Sequence, residues 1–349
     1  MTILITGAAG FIGFHLAKRL IEEGNFLIGI DNLNSYYSRN LKLSRLNVLR
    51  RLSKNKEKTL FDFYEISIED KKGLDEIFKK HRPKTVINLA AQAGVRYSIE
   101  NPMTYINTNL IGFSNILEAC RNFPIENLIY ASSSSVYGGN EKMPFKESQS
   151  VDHPVSLYAA TKKSNELMAH TYSHLYDIPT TGLRFFTVYG PWGRPDMALF
   201  TFTKLILENK PIKVFNNGEM VRDFTYIDDV IESLMRLIKK PAVSDYSFNK
   251  SNPDPSKSWA KHRIFNVGNS KPTPLMEYIE ALEINLGKTA KKEFLPLQPG
   301  DVVATASDNA LLFDWIGFKP NTSIKQGVSK FVDWYKSFYK IPIKKNDLY

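Results

Sequence analysis

Short apolar runs and amphipathic segments alternate along the first half of the chain. Apolar runs of strand length occur five times, at residues 2–6, 26–30, 60–66, 85–91 and 128–131. Between them, apolar residues recur at helical spacing in the segments 14–23, 71–81 and 104–121. Consecutive apolar positions are typical of strands buried on both faces, and strands that alternate with helices form parallel sheets. The pattern therefore predicts an α/β protein with a doubly wound parallel sheet.

The alternation becomes irregular after Pro191. The pattern there predicts further elements, namely helices at 197–209, 274–286 and 325–340 and strands at 212–215 and 264–268. The polar residues 241–263 predict an exposed loop. We expect two domains: a nucleotide-binding domain of residues 1–186 with about 225–268, and a smaller α/β domain for the substrate, of about 187–224 and 269–349.

Three glycines follow the first predicted strand and precede the first predicted helix. Gly7, Gly10 and Gly13 are spaced three apart, and Phe11 and Ile12 stand between the last two. Glycines at such a turn let a ligand approach the backbone closely, and the helix N-terminus offers free N–H donors. This arrangement predicts a site for a dinucleotide pyrophosphate.

The second predicted strand ends in Asp31, followed by the neutral Asn32. A carboxylate at this place accepts hydrogen bonds from the adenosine ribose hydroxyls and repels a 2′-phosphate. Asn32 offers that phosphate no cation, so we expect NAD as the cofactor and not NADP. Small residues at the end of the fourth strand, in Leu89, Ala90 and Ala91, would let the cofactor lie against the backbone.

A phenol and a cation stand four residues apart in Tyr158 and Lys162, in a segment without glycine or proline. On a helix they share one face. A nearby ammonium favours the phenolate and brings the Tyr158 pKa toward neutrality, so the pair can act as a base. The fifth strand delivers the serine run 132–135 to the carboxyl edge of the sheet, which is the active-site edge of such folds. Ser133, Tyr158 and Lys162 are therefore the candidate catalytic set.

Composition excludes several classes of protein. The chain has 349 residues, 43% of them hydrophobic, and its single cysteine permits no intrachain disulfide and suits the cytoplasm. No apolar run is long enough for a membrane span, and no His/Cys cluster has the spacing of metal ligands. The net charge of +10 is spread over scattered residues, so we expect no nucleic-acid partner. Basic residues in 39–58 predict an amphipathic helix with a basic outer face.

These motifs resemble the extended short-chain dehydrogenase/reductase family over essentially the whole chain. The resemblance rests on the glycine turn, Asp31, the 89–91 segment, the serines, the Tyr158–Lys162 pair and the segment 184–191. It implies a Rossmann-like fold and cofactor contacts that include Glu65 and Ile66. Glu65 departs from the family, which usually has Asp at that position.

Within that family, the neighbouring segments 92–98, 132–137 and 187–198 resemble UDP-glucuronate 4-epimerases. Dehydratases and decarboxylases of the family have carboxylates after the catalytic hydroxyl, where this chain has Ser134 and Ser135. The resemblance implies a grip on the substrate carboxylate, and the implied substrate contacts are Arg96, Ser133, Ser134, Ser135, Tyr158, Thr187, Arg194, Val214, Arg222 and Asp301.

We therefore expect an NAD-dependent homodimer that interconverts UDP-glucuronate and UDP-galacturonate. Three alternatives stay open. The nearest is a 4-epimerase of neutral UDP-hexoses such as UDP-glucose or UDP-N-acetylglucosamine, which needs no Arg194. A UDP-glucuronate decarboxylase is a second, and a catalytically idle NAD-binding regulator is a third.

Overall fold

The computed structural model describes residues 2–54, 59–298 and 301–341. Its strands are β1 (Thr2–Thr6), β2 (Phe26–Ile30), β3 (Phe61–Tyr64), β4 (Thr85–Asn88), β5 (Asn127–Ser133), β6 (Thr180–Phe185), β7 (Thr187–Tyr189), β8 (Ile212–Phe215), β9 (Val221–Tyr226), β10 (His262–Val267), β11 (Pro272–Pro274) and β12 (Lys292–Leu295).

The α-helices are α1 (Phe11–Glu22), α2 (Arg39–Ser53), α3 (Lys71–His81), α4 (Tyr97–Glu100), α5 (Pro102–Tyr105), α6 (Phe113–Asn122), α7 (Leu157–Tyr176), α8 (Ala198–Leu207), α9 (Ile227–Ile238), α10 (Leu275–Leu286), α11 (Ala310–Ile316) and α12 (Ile324–Phe338). A π-helix spans Ile106–Gly112, and short 3-10 helices span Ser134–Tyr137 and Asn216–Gly218.

The main sheet has seven strands in the order β10-β6-β5-β4-β1-β2-β3, and all of its pairings are parallel. Strand order reverses between β1 and β4, and ligands of open α/β sheets bind at such a reversal. The predicted α/β class and doubly wound parallel sheet are confirmed. Smaller sheets, β11-β9-β7 and β12-β8, lie outside it. The division into two domains stays a prediction.

Side chains of one strand point alternately to the two faces of the sheet, and each face has its own core. Ile3 and Ile5 of β1 pack in one hydrophobic cluster with Phe14 of α1, while Leu4 packs in another with Phe113 of α6. The strand is buried from Ile3 to Thr6. Double-sided burial explains why the run 2–6 is apolar at consecutive positions.

Several element boundaries differ from the prediction. Helix α1 begins at Phe11, inside the glycine turn, and β3 ends at Tyr64, two residues earlier than expected. The predicted helix 104–121 is interrupted by the π-helix, which apolar spacing does not reveal. The loop prediction for 241–263 is wrong at its end, because β10 begins at His262 and Ser258 is buried.

Not all basic residues of the helix predicted over 39–58 lie on its outer face. Lys42 and Arg45 of α2 are buried, with exposures of 4% and 0%. Arg45 donates hydrogen bonds to the Ala9 carbonyl (2.8 Å) and to the Tyr37 hydroxyl (2.7 Å), so its charge is well solvated by the protein. Residues 55–58 of the prediction lie outside the described residues.

A buried carboxyl beneath the sheet edge makes stability depend on pH. Burial raises the pKa of Glu147 to about 7, while its carboxylate accepts a hydrogen bond from the Asn266 N–H at 2.7 Å. The folded chain therefore holds a proton that the unfolded chain has lost between about pH 4.5 and 7, and unfolding becomes easier as the pH rises through that range.

We expect Glu147→Gln to remove this dependence, because the amide oxygen still accepts the Asn266 N–H and carries no charge. Relative to the parent, the variant should gain roughly 2 kcal/mol of stability between pH 5 and pH 8. Urea unfolding midpoints at the two pH values measure it, with Glu141→Gln on the same loop, where the side chain is exposed, as control. A gain that is equal at both pH values would show that the Glu147 proton is not involved.

Candidate active site

One cavity lies at the carboxyl ends of β1, β2, β4 and β5. It is lined by nearly all of the predicted cofactor residues, namely Gly7, Gly10, Phe11, Ile12, Gly13, Asp31, Asn32, Ile66, Leu89, Ala90, Ala91, Tyr158 and Lys162. Ser133 and Arg194 line the same cavity. The fold thus brings the glycine turn, the strand-end carboxylate and the Ser–Tyr–Lys set to a single space.

The glycine turn is packed so closely that side chains are excluded. A Cβ on Gly13 would lie 2.1 Å from the Gly7 carbonyl oxygen, and a Cβ on Gly7 would lie 2.8 Å from the Ala90 backbone nitrogen. Gly7 also has a φ of +70°, which glycine adopts without strain. Gly10 caps α1 without a side-chain hydrogen bond, so the first N–H groups of the helix face the cavity unblocked. These features fit a dinucleotide pyrophosphate.

Asp31 is held at the end of β2 by two backbone donors. Its Oδ2 accepts the Ala9 N–H at 3.1 Å, and its Oδ1 accepts the Leu33 N–H at 2.9 Å. Burial raises the Asp31 pKa, while the charge of Lys42 and these two hydrogen bonds lower it. A carboxylate oriented in this way fits the ribose hydroxyls of NAD.

Glu65 does not reach the cavity. Its carboxylate pairs with the Arg39 guanidinium at 2.7 Å, and half of its side chain is exposed. Because β3 ends at Tyr64, Glu65 points to the surface while Ile66, the next residue, lines the cavity. The cofactor contact that the resemblance implied for Glu65 stays a prediction, and the Glu65 side chain is held by Arg39 outside the cavity lining.

Tyr158 and Ser133 meet inside the cavity. Ser156 begins α7 by accepting the Ala159 N–H at 3.1 Å, which places Tyr158 in the first turn of the helix. Burial raises the Tyr158 pKa, and the groups that lower it are a hydrogen bond with Ser133 and the charge of Arg194. The Tyr158 pKa is raised overall, and the hydrogen bond with Ser133 and the charge of Arg194 reduce that rise in favour of the phenolate that a base requires.

Lys162 lies one turn further along α7. Its ammonium donates to the Ala131 carbonyl at 2.9 Å, and burial lowers its pKa to about 8. Arg194 is a cation whose charge lowers the Tyr158 pKa, and the predicted lowering by Lys162 stays a prediction. Lys162 still lines the cofactor part of the cavity.

A buried ion pair behind the catalytic set was not predicted. Arg184 of β6 and Glu166 of α7 form two hydrogen bonds of 2.9 Å, and both side chains are 1% exposed. Glu166 also accepts the Ser132 hydroxyl at 2.7 Å, and its charge favours the Lys162 ammonium. The pair ties the strand that carries Ser133 to the helix that carries Lys162. Its partners lie far apart in the sequence, so no local pattern reveals it.

The remaining hydroxyls of the predicted carboxylate grip lie beside the main cavity. Ser135 donates its N–H to Ser133 Oγ at 3.1 Å and accepts the Ser133 hydroxyl at 3.0 Å. Ser134 opens the 3-10 helix and is partly buried. Thr187 lines a small neighbouring pocket that Arg194 shares. These three hydroxyls thus lie around the catalytic set, and they do not line one common cavity.

Arg194 is oriented by a neighbour that the sequence did not single out. Its Nε donates to Asp196 Oδ1 at 3.0 Å and its Nη2 donates to Oδ2, while its guanidinium lies 5.7 Å from the Tyr36 ring centre. Tyr36 also donates its hydroxyl to Asp196 at 3.2 Å. Asp196 thus fixes the orientation of the guanidinium through Nε and Nη2.

A second group of the predicted substrate contacts comes from segments that are far apart in the sequence. Arg96 pairs with Asp301 at 2.8 Å and stacks 5.1 Å from the Phe215 ring centre. The Asp301 charge also acts on Arg222, whose pKa burial lowers. Val214 of β8 is completely buried, and its contact with the substrate stays a prediction. Side chains of a strand point alternately to its two faces, so the register of β8 decides that Val214 points inward.

Two negative findings apply to the ranges 2–54, 59–298 and 301–341. No group of three or more His, Cys, Asp or Glu side chains there is arranged to hold a metal ion. Likewise, none of the helices in those ranges is both long and apolar enough to cross a membrane.

A parallel sheet with a dinucleotide cavity and a Ser–Tyr–Lys set at its carboxyl edge defines a nucleotide-dependent α/β enzyme. The chain belongs to the NAD dependent epimerase/dehydratase family, whose model matches residues 3–249. NAD is its cofactor, and the residues of the cavity fit that molecule.

Three similar proteins extend the comparison. Protein CapI of Staphylococcus aureus is 58% identical over 97% of this chain and 100% of its own length. A probable UDP-glucuronate 4-epimerase of Rhizobium meliloti is 47% identical over 97% of this chain and 98% of its own. The crystal structure of UDP-glucuronic acid 4-epimerase from Bacillus cereus, in complex with UDP-glucuronic acid and NAD, superposes with a TM-score of 0.83 and 32% identity, covering 97% of this chain and 100% of the other.

Proposed function

We propose that this chain is a UDP-glucuronate 4-epimerase, which interconverts UDP-glucuronate and UDP-galacturonate. Similarity to proteins of that name over nearly the whole chain supports the assignment. The observation that carries it is the position of Arg194, a fixed guanidinium in the cavity of Ser133 and Tyr158. Asp196 already pairs with this guanidinium, and a uronate carboxylate would add a second charged partner that a neutral sugar does not offer.

The proposed chemistry is an oxidation and reduction at C4 of the sugar. Tyr158, as phenolate, takes the proton from O4, and Ser133 orients that oxygen by a hydrogen bond. When bound, NAD supplies the acceptor for the C4 hydride and returns it to the opposite face of the sugar. Lys162 is placed to hold the nicotinamide ribose. The 4-keto sugar turns within the cavity between the two transfers, and Tyr158 then returns the proton to O4.

Holding the carboxylate also protects the intermediate. A 4-keto uronate is a β-keto acid, which loses CO2 when its carboxylate turns perpendicular to the carbonyl plane. We assign the holding role to Arg194 with the hydroxyls of Ser134, Ser135 and Thr187. Hydroxyls donate hydrogen bonds to a carboxylate without repelling it, and neither Ser134 nor Ser135 supplies the carboxylate found in dehydratases and decarboxylases.

At the other end of the substrate, Arg222 and Arg96 are proposed to bind the diphosphate and nucleotide. A guanidinium pairs with phosphate oxygens through two hydrogen bonds. Asp301, which pairs with Arg96 at 2.8 Å in this arrangement, is proposed to contact the nucleotide as well. The smaller domain of about 187–224 and 269–349 would thus supply Arg222 and Asp301 to the UDP site, and the domain of residues 1–186 would supply Arg96.

The nearest alternative is a 4-epimerase of neutral UDP-hexoses, and fold likeness does not choose between the two. The test is to compare kcat/KM for UDP-glucuronate and for UDP-glucose with the same enzyme preparation. We expect UDP-glucuronate to be preferred by at least tenfold, since one charge-assisted contact is worth about that factor. Preference for UDP-glucose would replace the proposal by the neutral alternative, and no turnover of either would favour an idle NAD-binding regulator.

We further propose a homodimer in the cytoplasm. Apolar side chains stand exposed on one group of helices, with Leu167 and Leu175 of α7 at 57% and 60% and Ile111 at 51%. A second copy of the chain would cover them. The single cysteine, Cys120, is free and buried, which suits a reducing compartment.

A further inference from the structure

Side chains of two helices beside the glycine turn hold the loop that carries Arg194. We call this loop, residues 190–196, the Arg194 loop. Three of its consecutive carbonyls, those of Pro191, Trp192 and Gly193, accept hydrogen bonds from side chains of α1 and α2. The next residue in the chain is Arg194 itself. The backbone is therefore fixed by other elements up to the residue that is proposed to hold the substrate carboxylate.

Arg45 of α2 makes two of these bonds and joins the loop to the glycine turn. Its Nη2 donates to the Trp192 and Gly193 carbonyls, the latter at 3.3 Å, and its Nη1 donates to the Ala9 carbonyl at 2.8 Å. Arg45 is 0% exposed. A displacement of the loop would leave donors of a buried guanidinium unpaired, which is costly, and the planar guanidinium holds its donors in fixed directions.

The backbone of the loop needs this support at Trp192. The φ of this residue is +60°, in the left-handed region, which is unfavourable for a bulky side chain and persists only where the surroundings hold it. The Trp192 ring packs against Phe14 of α1, with 5.1 Å between the ring centres. His15, the next residue of α1, donates its Nε2–H to the Pro191 carbonyl at 2.8 Å. Without these contacts we expect the Arg194 loop to relax.

We propose that Arg45 is a positioning residue: by fixing the backbone of the Arg194 loop, it holds Arg194 where the substrate carboxylate binds. Asp196 orients the guanidinium of Arg194 through Nε and Nη2, whereas Arg45 fixes the backbone from which that side chain starts. Arg45 itself lies outside the cavity lining, so it acts through the loop and not on the sugar. The inference deepens the proposed function and rests on it, because it concerns the grip on the uronate.

The test measures binding without turnover, by titration calorimetry of the NAD-loaded Tyr158→Phe chain with UDP-glucuronate and with UDP-glucose. In that background, Arg45→Met should weaken the binding of UDP-glucuronate by about tenfold, because a misplaced Arg194 loses most of one charge-assisted contact. The affinity for UDP-glucose should change by less than about twofold, since that sugar has no carboxylate. The matched control is Arg51→Met, which removes an exposed arginine of the same helix and should leave both affinities unchanged.

The products of the chain that retains Tyr158 distinguish positioning from folding. With added NAD, Arg45→Met should release UDP-4-keto-pentose together with UDP-galacturonate, because a carboxylate that is held less firmly can turn and leave as CO2. The parent and Arg51→Met should release UDP-galacturonate alone. The proportion of the two products does not depend on how much of the protein is folded, so a loss of stability by itself would not change it.

Two results would overturn the proposal. One is an equal weakening of UDP-glucuronate and UDP-glucose binding in Arg45→Met without release of pentose, which would give Arg45 a role in stability alone. The other is an unchanged affinity for both sugars. A Tyr158→Phe chain that binds UDP-glucose as tightly as UDP-glucuronate before Arg45 is changed would instead contradict the proposed function, on which this inference rests.

A second pair of variants serves if circular dichroism shows that Arg45→Met does not fold. His15→Leu removes the donor to the Pro191 carbonyl, and it should weaken UDP-glucuronate selectively. His15→Gln keeps a donor in its side-chain amide, and it should restore the affinity. Equal affinities of these two variants for UDP-glucuronate would show that the bonds to the loop carbonyls do not position Arg194, and the proposal would be wrong.

Discussion

Replacing Tyr158 by phenylalanine should lower turnover of UDP-glucuronate by about 10³-fold, because only the group that accepts the O4 proton is lost. The ring keeps its place at the start of α7, 6.0 Å from the Tyr105 ring centre, so cofactor binding should not change. Initial rates and the NAD content of the purified variant measure the two effects.

The control is Tyr172→Phe on the same helix, whose hydroxyl donates to Glu118 at 2.6 Å outside the cavity. It should keep the rate of the parent. A Tyr158→Phe variant that retains most of its rate would remove Tyr158 from the mechanism, and a variant that loses NAD as well would give it a structural role.

Arg194→Ala should raise the KM for UDP-glucuronate by one to two orders of magnitude, at ~1.4 kcal/mol per decade for a contact of roughly 1.5–3 kcal/mol. Activity on UDP-glucose should fall much less, because that sugar has no charge at C6 and loses only the effect of Arg194 on the Tyr158 pKa. A carboxylate that is held less firmly should also be lost as CO2 in some turnovers. The enzyme then releases some UDP-4-keto-pentose, which chromatography of the products detects.

Arg194→Lys is the matched variant, since it keeps the charge but not the two-edged guanidinium that Asp196 orients. This variant should bind the uronate better than Arg194→Ala does, and it should still release some UDP-4-keto-pentose. Equal losses on charged and neutral substrates in Arg194→Ala would mean that Arg194 supports the fold, and the uronate assignment would then rest on resemblance alone.

The parts of the structure that could be predicted are those that local pattern controls. A strand buried on both faces must be apolar at consecutive positions, so the strand from Thr2 to Thr6 is visible in the sequence. A Cβ on residue 7 would lie 2.8 Å from the Ala90 backbone nitrogen, so this position must be glycine and the Gly7 turn is visible as well. Asp31 follows from its place at the end of β2.

The parts that could not be predicted depend on partners far along the chain. The sequence alone predicts Lys42 to be a surface residue, whereas in the structure it lines the cavity together with Asp31. The sequence alone predicts Glu166 to be a solvated acid, whereas in the structure it pairs with Arg184 of β6. In the same way, the shortened β3 turns Glu65 outward, although the resemblance had implied a cofactor contact. Charged residues are buried where other elements of the fold supply their partners, and the amino-acid sequence alone does not show which residues those partners are.

The most direct test of the proposed function is to incubate the enzyme with UDP-glucuronate in D2O and to follow the sugar by NMR. The proposal predicts UDP-galacturonate in which the hydrogen at C4 is still protium, because Tyr158 exchanges only the proton of O4 with solvent. Deuterium at C4 would mean that the inversion proceeds through a carbanion and not through the proposed oxidation. Absence of UDP-galacturonate, with a UDP-pentose or unchanged UDP-glucuronate in its place, would contradict the assignment of the reaction.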